Sequence, residues 1–205
     1  PKWMLTHPMT NRFMVTESIL GLNLDFFDNI WFICLQEHED KYQFMKGLVS
    51  ELDEVGLRAK SNIVLLPEQT DSQSETVYTF LSGQELEGFV FIKDSDGFYR
   101  CDVEERNQVA YFDLNDMDDI NARTKSYIEL DVNNVITNIV EKKVVSSTFS
   151  SGGYGFADAK EFCKTFEKLQ DMDGECYISH IIFEMMLSGS TFYGTKTTDF
   201  KDWGT

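Results

Sequence analysis

The sequence predicts an α/β fold, a mixed and mostly parallel sheet flanked by helices. Three observations lead there. Short apolar runs alternate with amphipathic helical stretches through the first half. The second half adds several strand-like segments separated by turn residues, with two further helical stretches among them. The 205 residues are 42% apolar and 14% aromatic with three prolines, so the chain can bury one large core and form a single domain spanning residues 1–205.

The elements follow in order. FDNIWFICL (27–35) is a short apolar run suited to a buried strand. HEDKYQFMKGLVSELDEVG comes next, with Tyr42, Met45, Val49 and Leu52 at helical spacing and Gly56 as a stop. NIVLL (62–66) is a second strand. PEQTDSQ is a polar loop, SETVYTFLSG a helix ending at Gly83, and GFVFIKD a third strand. This alternation implies right-handed crossovers, and ligands in such sheets bind at the carboxyl ends of strands. Asp94 and Asp96 fall at such an end. NQVAYFDL, KSYIELD, VITNIVEKK and GGYGF then read as strands, with DVNN as a turn and the acidic NDMDD (115–119) as a solvated one. ADAKEFCKTFEKLQ and YISHIIFEMMLSG read as helices, and TFYGTKTTDF as a late strand. No repeat or low-complexity linker divides the chain. It opens at Pro1 without Met and closes on DFKDWGT, as an excerpt from a longer polypeptide would.

The formal net charge is −17, which makes nucleic acid and anionic membranes poor partners. An anionic small substrate would need its own lysines and a metal. Cys34, Cys101, Cys163 and Cys176 show no C-x-x-C spacing and read as reduced thiols of a cytoplasmic protein. His7, His38 and His180 are too scattered for a zinc site. No apolar run reaches the length of a membrane span, and no signal peptide is evident.

The densest chemistry lies in GFVFIKDSDGFYRCDV (88–103), where an apolar run ends in Asp94-Ser95-Asp96 and Gly97. Paired carboxylates at a strand end suit a divalent cation. The stretch resembles the haloacid dehalogenase phosphatases through Gly97, but Phe98 stands where a small β-branched residue is expected. It is also similar to the D-x-D of metal-dependent glycosyltransferases and to the strand end of nucleotidyltransferases. The same residues also suit a simple turn, since Asp and Ser bond nearby backbone groups.

Several separated segments together resemble the sugar-phosphate nucleotidyltransferases, which make NDP-sugars from an NTP and a sugar 1-phosphate. PKWML is similar to the family's P-K-P-L-L, QTDSQSETVYTFL to its T-x-G-x-A-x-T-V, and FVFIKDSDGFY to its metal-binding strand end. VITNIVEKK resembles V-x-x-I-x-E-K, SSGGYGF the glycine-containing strand beside the sugar, and DWGT the closing segment with a second metal Asp.

The resemblance implies a Rossmann-like fold of the nucleotide-diphospho-sugar transferase type. It makes Lys2, Asp96 and Lys142 the catalytic candidates, with Asp96 and Asp202 holding Mg²⁺ and Asp94 a supporting or turn residue. Glu141 and Lys142 would face the sugar phosphate, Gly152 and Gly153 would let backbone approach the sugar, and Gln73 would contact the base. The implied partners are an NTP and a phosphorylated sugar or similar small phosphate, feeding capsular or other surface polysaccharide.

The chain departs from the pattern in two ways. The G-x-G-x-R loop that cradles the NTP phosphates would precede Pro1, and Trp3 replaces a Pro. Two alternatives follow: a non-catalytic relative that binds nucleotide or sugar phosphate, and a D-x-D glycosyltransferase.

Overall fold

The computed structural model describes residues 1–117 and 121–203. Asp118 and Asp119 of the acidic segment, and Gly204 and Thr205 of the closing segment, lie outside the described residues. The first half holds α1 (Met14–Ile19), β1 (Ile30–Leu35), α2 (Gln36–Tyr42), α3 (Met45–Glu54), β2 (Ser61–Leu66), α4 (Gln73–Gly83), β3 (Val90–Lys93) and β4 (Gly97–Arg100). The second holds β5 (Gln108–Asp113), β6 (Ser126–Leu130), β7 (Ile136–Glu141), β8 (Thr148–Phe156), α5 (Ala159–Leu169), α6 (Ile178–Leu187), β9 (Tyr193–Lys196) and β10 (Thr198–Asp202).

This is the expected α/β architecture, a mixed sheet flanked by helices. β1 and β2 pair in parallel from Ile30 opposite Ser61 to Leu35 opposite Leu66. The larger sheet runs β7-β6-β8-β5-β9, with β3 also on β8. Within it β5 and β9 are parallel, and β8 is antiparallel to β3, β5 and β6. β4 and β10 form a separate antiparallel ribbon. Among the described residues β1 pairs only with β2 and β3 only with β8, so each keeps one open edge.

The apolar runs are continuous because both faces of these strands are covered. Trp31 and Ile33 of β1 pack on a cluster built from α4, α5, α6 and the large sheet, including Phe80, Phe162, Ile181 and Phe156. The alternate residues Phe32 and Cys34 pack with Phe44, Leu48 and Leu52 on the other side. Two helices are capped as their sequences specify. The Ser72 hydroxyl accepts the Glu75 N–H at 3.1 Å and the Asp158 carboxylate accepts the Lys160 N–H at 3.0 Å.

Three boundaries differ from the periodicity. The single helix expected after β1 is broken into α2 and α3 at Gln43, which adopts φ 50°. The break rephases the helix, so Phe44, Leu48 and Leu52 are buried while Tyr42 is 45% exposed. β4 (GFYR) is an additional strand, too short for its two aromatic residues to show a period. The late strand divides into β9 and β10 at buried Thr197, whose N–H and hydroxyl both donate to the Tyr111 carbonyl at 2.8 and 2.9 Å. All four cysteines are free. No helix among the described residues is long and apolar enough to cross a membrane.

β8 is the strand on which the sheet turns. Eight of its nine residues are buried, and it has partners along both edges. β5 covers one edge. On the other, β3 pairs with Gly153–Phe156 and β6 with Phe149, and the intervening residues 150–152 face neither. At Gly153 a Cβ would meet the Tyr99 hydroxyl at 1.9 Å and the Ala110 Cβ and Phe91 Cζ at 2.9 Å. Gly153→Ala is therefore expected to lower stability by about 1–3 kcal/mol, as overpacking of a close-packed core does, measured by denaturant unfolding.

Candidate active site

The gap beside residues 150–152 opens into a cavity of about 300 Å³, within the range of small-ligand sites. Ser150, Ser151 and Gly152 form its floor, with Tyr154 beside them. The carboxyl end of β3 contributes Asp94, Asp96 and Gly97, the outer strands Lys125, Ser126, Glu141 and Lys142, and β10 contributes Phe200 and Asp202. The amino end of α6 closes the last side with Tyr177, Ile178 and Ser179. The first N–H groups of a helix have no intrahelical partner, and the dipole there favours an anion.

The acidic pair is brought together by strand pairing. Asp202 lies opposite Gly97 in the β4–β10 ribbon, and the Trp203 N–H donates to the Asp96 carbonyl at 2.9 Å. Lys125 Nζ donates to Asp202 Oδ2 at 2.5 Å, with the two side chains 17% and 11% exposed. Glu141 Oε2 accepts hydroxyl hydrogen bonds from Ser126 at 2.5 Å and Ser179 at 2.6 Å, which tie β6, β7 and α6 together. Lys142 sits at φ 53°, its ammonium 4.1 Å from the Tyr177 ring centre and donating to the Tyr177 hydroxyl at 2.5 Å. That hydrogen bond favours the charged form and raises the lysine pKa.

Asp94 is largely buried and lines the cavity. Burial raises its pKa against the opposing pull of Lys93 and the Gln73 amide, while Asp96 adds to the rise. Gln73 Nε2 donates to Asp94 Oδ1 at 2.5 Å, and the Asp94 N–H donates to the Gly152 carbonyl at 2.8 Å. Gly152 has φ 80°, and a Cβ there would lie 2.4 Å from Asp94 Oδ2. The residue is glycine for both reasons. Lys93 lies under the same turn. Its ammonium donates to the Asp94 carbonyl at 2.6 Å and the Gly97 carbonyl at 2.8 Å, 4.5 Å from the Tyr99 ring centre. Burial lowers its pKa to about 8, against the pull of Asp94 and Asp96.

Seven residues singled out in the sequence line this one cavity: Gln73, Asp94, Asp96, Glu141, Lys142, Gly152 and Asp202. Gly153 sits just behind the floor, and the space left by both glycines is filled by protein, Asp94 at one and Tyr99 at the other. Lys2 is exposed in a short 3-10 turn, Lys2–Met4, and does not line the cavity.

No protein-family model matches the chain. No curated protein sequence matches it. Solved structures do. The nucleoside-diphosphate-sugar pyrophosphorylase from Vibrio cholerae RC9 matches with a TM-score of 0.77 at 18% identity, over 100% of this chain and 87% of that one. The inositol-1-phosphate CTP transferase from T. maritima matches at 0.73 and 11% identity, over 98% and 80% of the two chains. A UDP-glucose pyrophosphorylase complexed with UDP-glucose matches at 0.69 and 11% identity, over 100% and 86%. The chain shares the fold of these structures.

Within that fold, sequence reasoning missed Lys125, Ser126, Tyr177 and Ser179 as lining residues. Lys125 and Ser126 open a stretch recognised as a strand for its apolar residues, and nothing local marks them. Tyr177 and Ser179 were legible only as the start of a helix.

Lys93 gives the site a measurable pH signature. Its folded pKa, about 8, lies below its ordinary value of 10.5, so the unfolded chain binds the extra proton between those values. Relative to Lys93→Met, the wild-type protein is expected to gain stability as pH rises from 8 to 10.5, by about 3 kcal/mol in all, and to lose it as pH falls through 8. Denaturant unfolding of both proteins across that window measures it, and a flat difference would refute the burial.

Proposed function

We propose that the chain transfers a nucleotidyl group from an NTP to a sugar 1-phosphate or similar small phosphate, releasing pyrophosphate, in the cytoplasm and toward surface polysaccharide such as capsule. The observation that carries this reading is the convergence of Gln73, Asp96, Glu141, Lys142, Gly152 and Asp202 on one cavity of a nucleotidyltransferase fold. These residues come from separated segments, and folding alone brings them together.

The reaction joins a phosphate oxygen of the acceptor to the α-phosphorus of the NTP and breaks the bond from that phosphorus to the β-phosphate bridge. Such a step depends on in-line positioning and charge neutralisation. The cavity walls carry the carboxylates Asp94, Asp96, Glu141 and Asp202 against the ammonium groups of Lys125 and Lys142. A polyphosphate therefore requires additional positive charge. Among the described residues no group of three or more His, Cys, Asp or Glu side chains is placed to hold a metal ion by itself. The neighbouring pair Asp96 and Asp202 suits Mg²⁺, which takes one or two carboxylates and completes its shell with water and phosphate oxygens. Bound there, it would neutralise phosphate charge and fix the reacting groups.

The chain's own groups do the rest. Glu141, with Oε2 held by two serines, presents its other oxygen to an acceptor hydroxyl. Ser126, Ser150 and Tyr154 offer further hydroxyl partners. Lys142 and the amino end of α6 receive the acceptor phosphate.

A second reading, a subunit that binds nucleotide or sugar phosphate without turnover, draws on two observations. Lys2 stays outside the cavity, and Asp202 is held by Lys125. One experiment separates them. Thermal unfolding of the full natural chain is followed with each of the four NTPs and with sugar 1-phosphates, with and without Mg²⁺, and pyrophosphate release is then assayed with sugar 1-phosphates. Nucleotidyl transfer predicts a magnesium-dependent rise in Tm with one NTP, about 5–10 °C at a hundredfold excess over Kd, and pyrophosphate release. Asp96→Ala is expected to abolish both. A Tm rise without pyrophosphate release supports the second reading, and no rise with any NTP or sugar 1-phosphate refutes both.

A further inference from the structure

We propose that Lys125 is the ammonium that receives nucleotide phosphate charge, latched to Asp202 in the ligand-free protein and released when a divalent cation takes that carboxylate. The inference rests on the nucleotidyl-transfer reading and adds a residue that the sequence resemblance did not supply. That resemblance offered Lys2 and Lys142. Lys2 lies outside the cavity, and Lys142 is held against Tyr177 at the amino end of α6, where it serves the acceptor phosphate. Lys125 lines the cavity together with Asp94, Asp96 and Asp202. Its backbone is fixed, since its carbonyl accepts the Lys142 N–H at 3.0 Å. Its ammonium makes one hydrogen bond among the described residues, to Asp202 Oδ2 at 2.5 Å. An ammonium has three donors, so two remain for a ligand.

The Lys125 ammonium and a dication compete for the Asp202 carboxylate. Magnesium binds carboxylate oxygen at about 2.0–2.1 Å, which would press two positive centres together in a partly buried site. The lysine side chain is the flexible partner and swings away, while the incoming phosphate supplies the negative charge it has lost. The pair thus discourages metal binding without phosphate and couples the two ligands, each raising the affinity for the other.

The test uses the full natural chain, with Mn²⁺ binding followed by electron paramagnetic resonance and pyrophosphate binding by calorimetry. Lys125→Met is expected to bind Mn²⁺ about fivefold more tightly when no phosphate is present, because the competing ion pair is gone. The same variant, saturated with Mn²⁺, is expected to bind pyrophosphate roughly tenfold to a hundredfold more weakly. A structural defect would weaken both, so the opposite signs identify the latch. Asp202→Asn provides a second arm. In metal-free buffer it is expected to bind pyrophosphate about fivefold more tightly than wild type, since Lys125 is then unlatched. If Lys125→Met does not fold, this arm decides alone, and unchanged or weaker binding overturns the proposal. Wild-type protein that binds Mn²⁺ and pyrophosphate while Lys125→Met leaves either constant unmoved, or weakens both, overturns the latch and leaves the transferase reading standing. Wild-type protein that binds neither overturns both.

Discussion

The interruption of β8 at Gly152 is the constraint on which this molecule depends. A strand buried along eight of nine residues would ordinarily have its hydrogen bonds taken up by neighbours on both edges. Here β5 holds one edge continuously apart from a register shift between Ala110 and Tyr111, and the other edge is shared between β3 and β6. The left-handed conformation at Gly152 makes that division possible, and the cavity is the space the division leaves. Asp94 fills the place of the absent side chain and is pinned by the Gly152 carbonyl and by Gln73. Fold and site therefore share one origin: the residue that bends the strand also seats the first carboxylate of the Asp-x-Asp turn.

Charge is concentrated around this bend at a cost to stability. Lys93 and Asp94 both have their charged forms disfavoured by burial, and each is partly compensated by the other. Replacing such a buried pair with apolar residues is often neutral or stabilising, so its presence calls for a reason other than folding energy. Its geometry supplies one. The Lys93 ammonium bonds the carbonyls at both ends of the turn 94–97 and so fixes the direction in which Asp96 leaves the sheet.

Much of this was readable in the sequence, for identifiable reasons. β1 and β2 announced themselves because both faces are buried, which forces continuous apolar runs. The helices α4 and α5 carried cap residues, Ser72 and Asp158, at their starts. The acidic, glycine and Glu-Lys positions stood out as motifs, and those lining the cavity were named before their proximity was visible. Lys125, Ser126, Tyr177 and Ser179 were not legible because their significance is purely three-dimensional. A lysine before a strand and a serine in the first turn of a helix are ordinary features until β6, β7 and α6 meet around Glu141. Gln43 was missed for the opposite reason. The apolar spacing across it suits a continuous helix, and the burial of Phe44, Leu48 and Leu52 overrides that local preference.

The proximity of Asp96 and Asp202 is the last link to form and the most exposed to failure. The β4–β10 ribbon has two strands, and an isolated two-stranded ribbon is marginal in water. It must be held by side chains. Phe200 lies 5.4 Å from both Phe112 and Phe149, and Trp203 lies between Phe98 at 6.4 Å and His7 at 5.6 Å. These contacts join residues from about fifty to nearly two hundred positions apart in the chain, so their loop-closure entropy is repaid only when the large sheet is already in place. The aspartate pair is therefore a product of aromatic packing. The rings that set the pair include Phe200, which itself lines the cavity, and Lys125 neutralises Asp202 from the opposite wall.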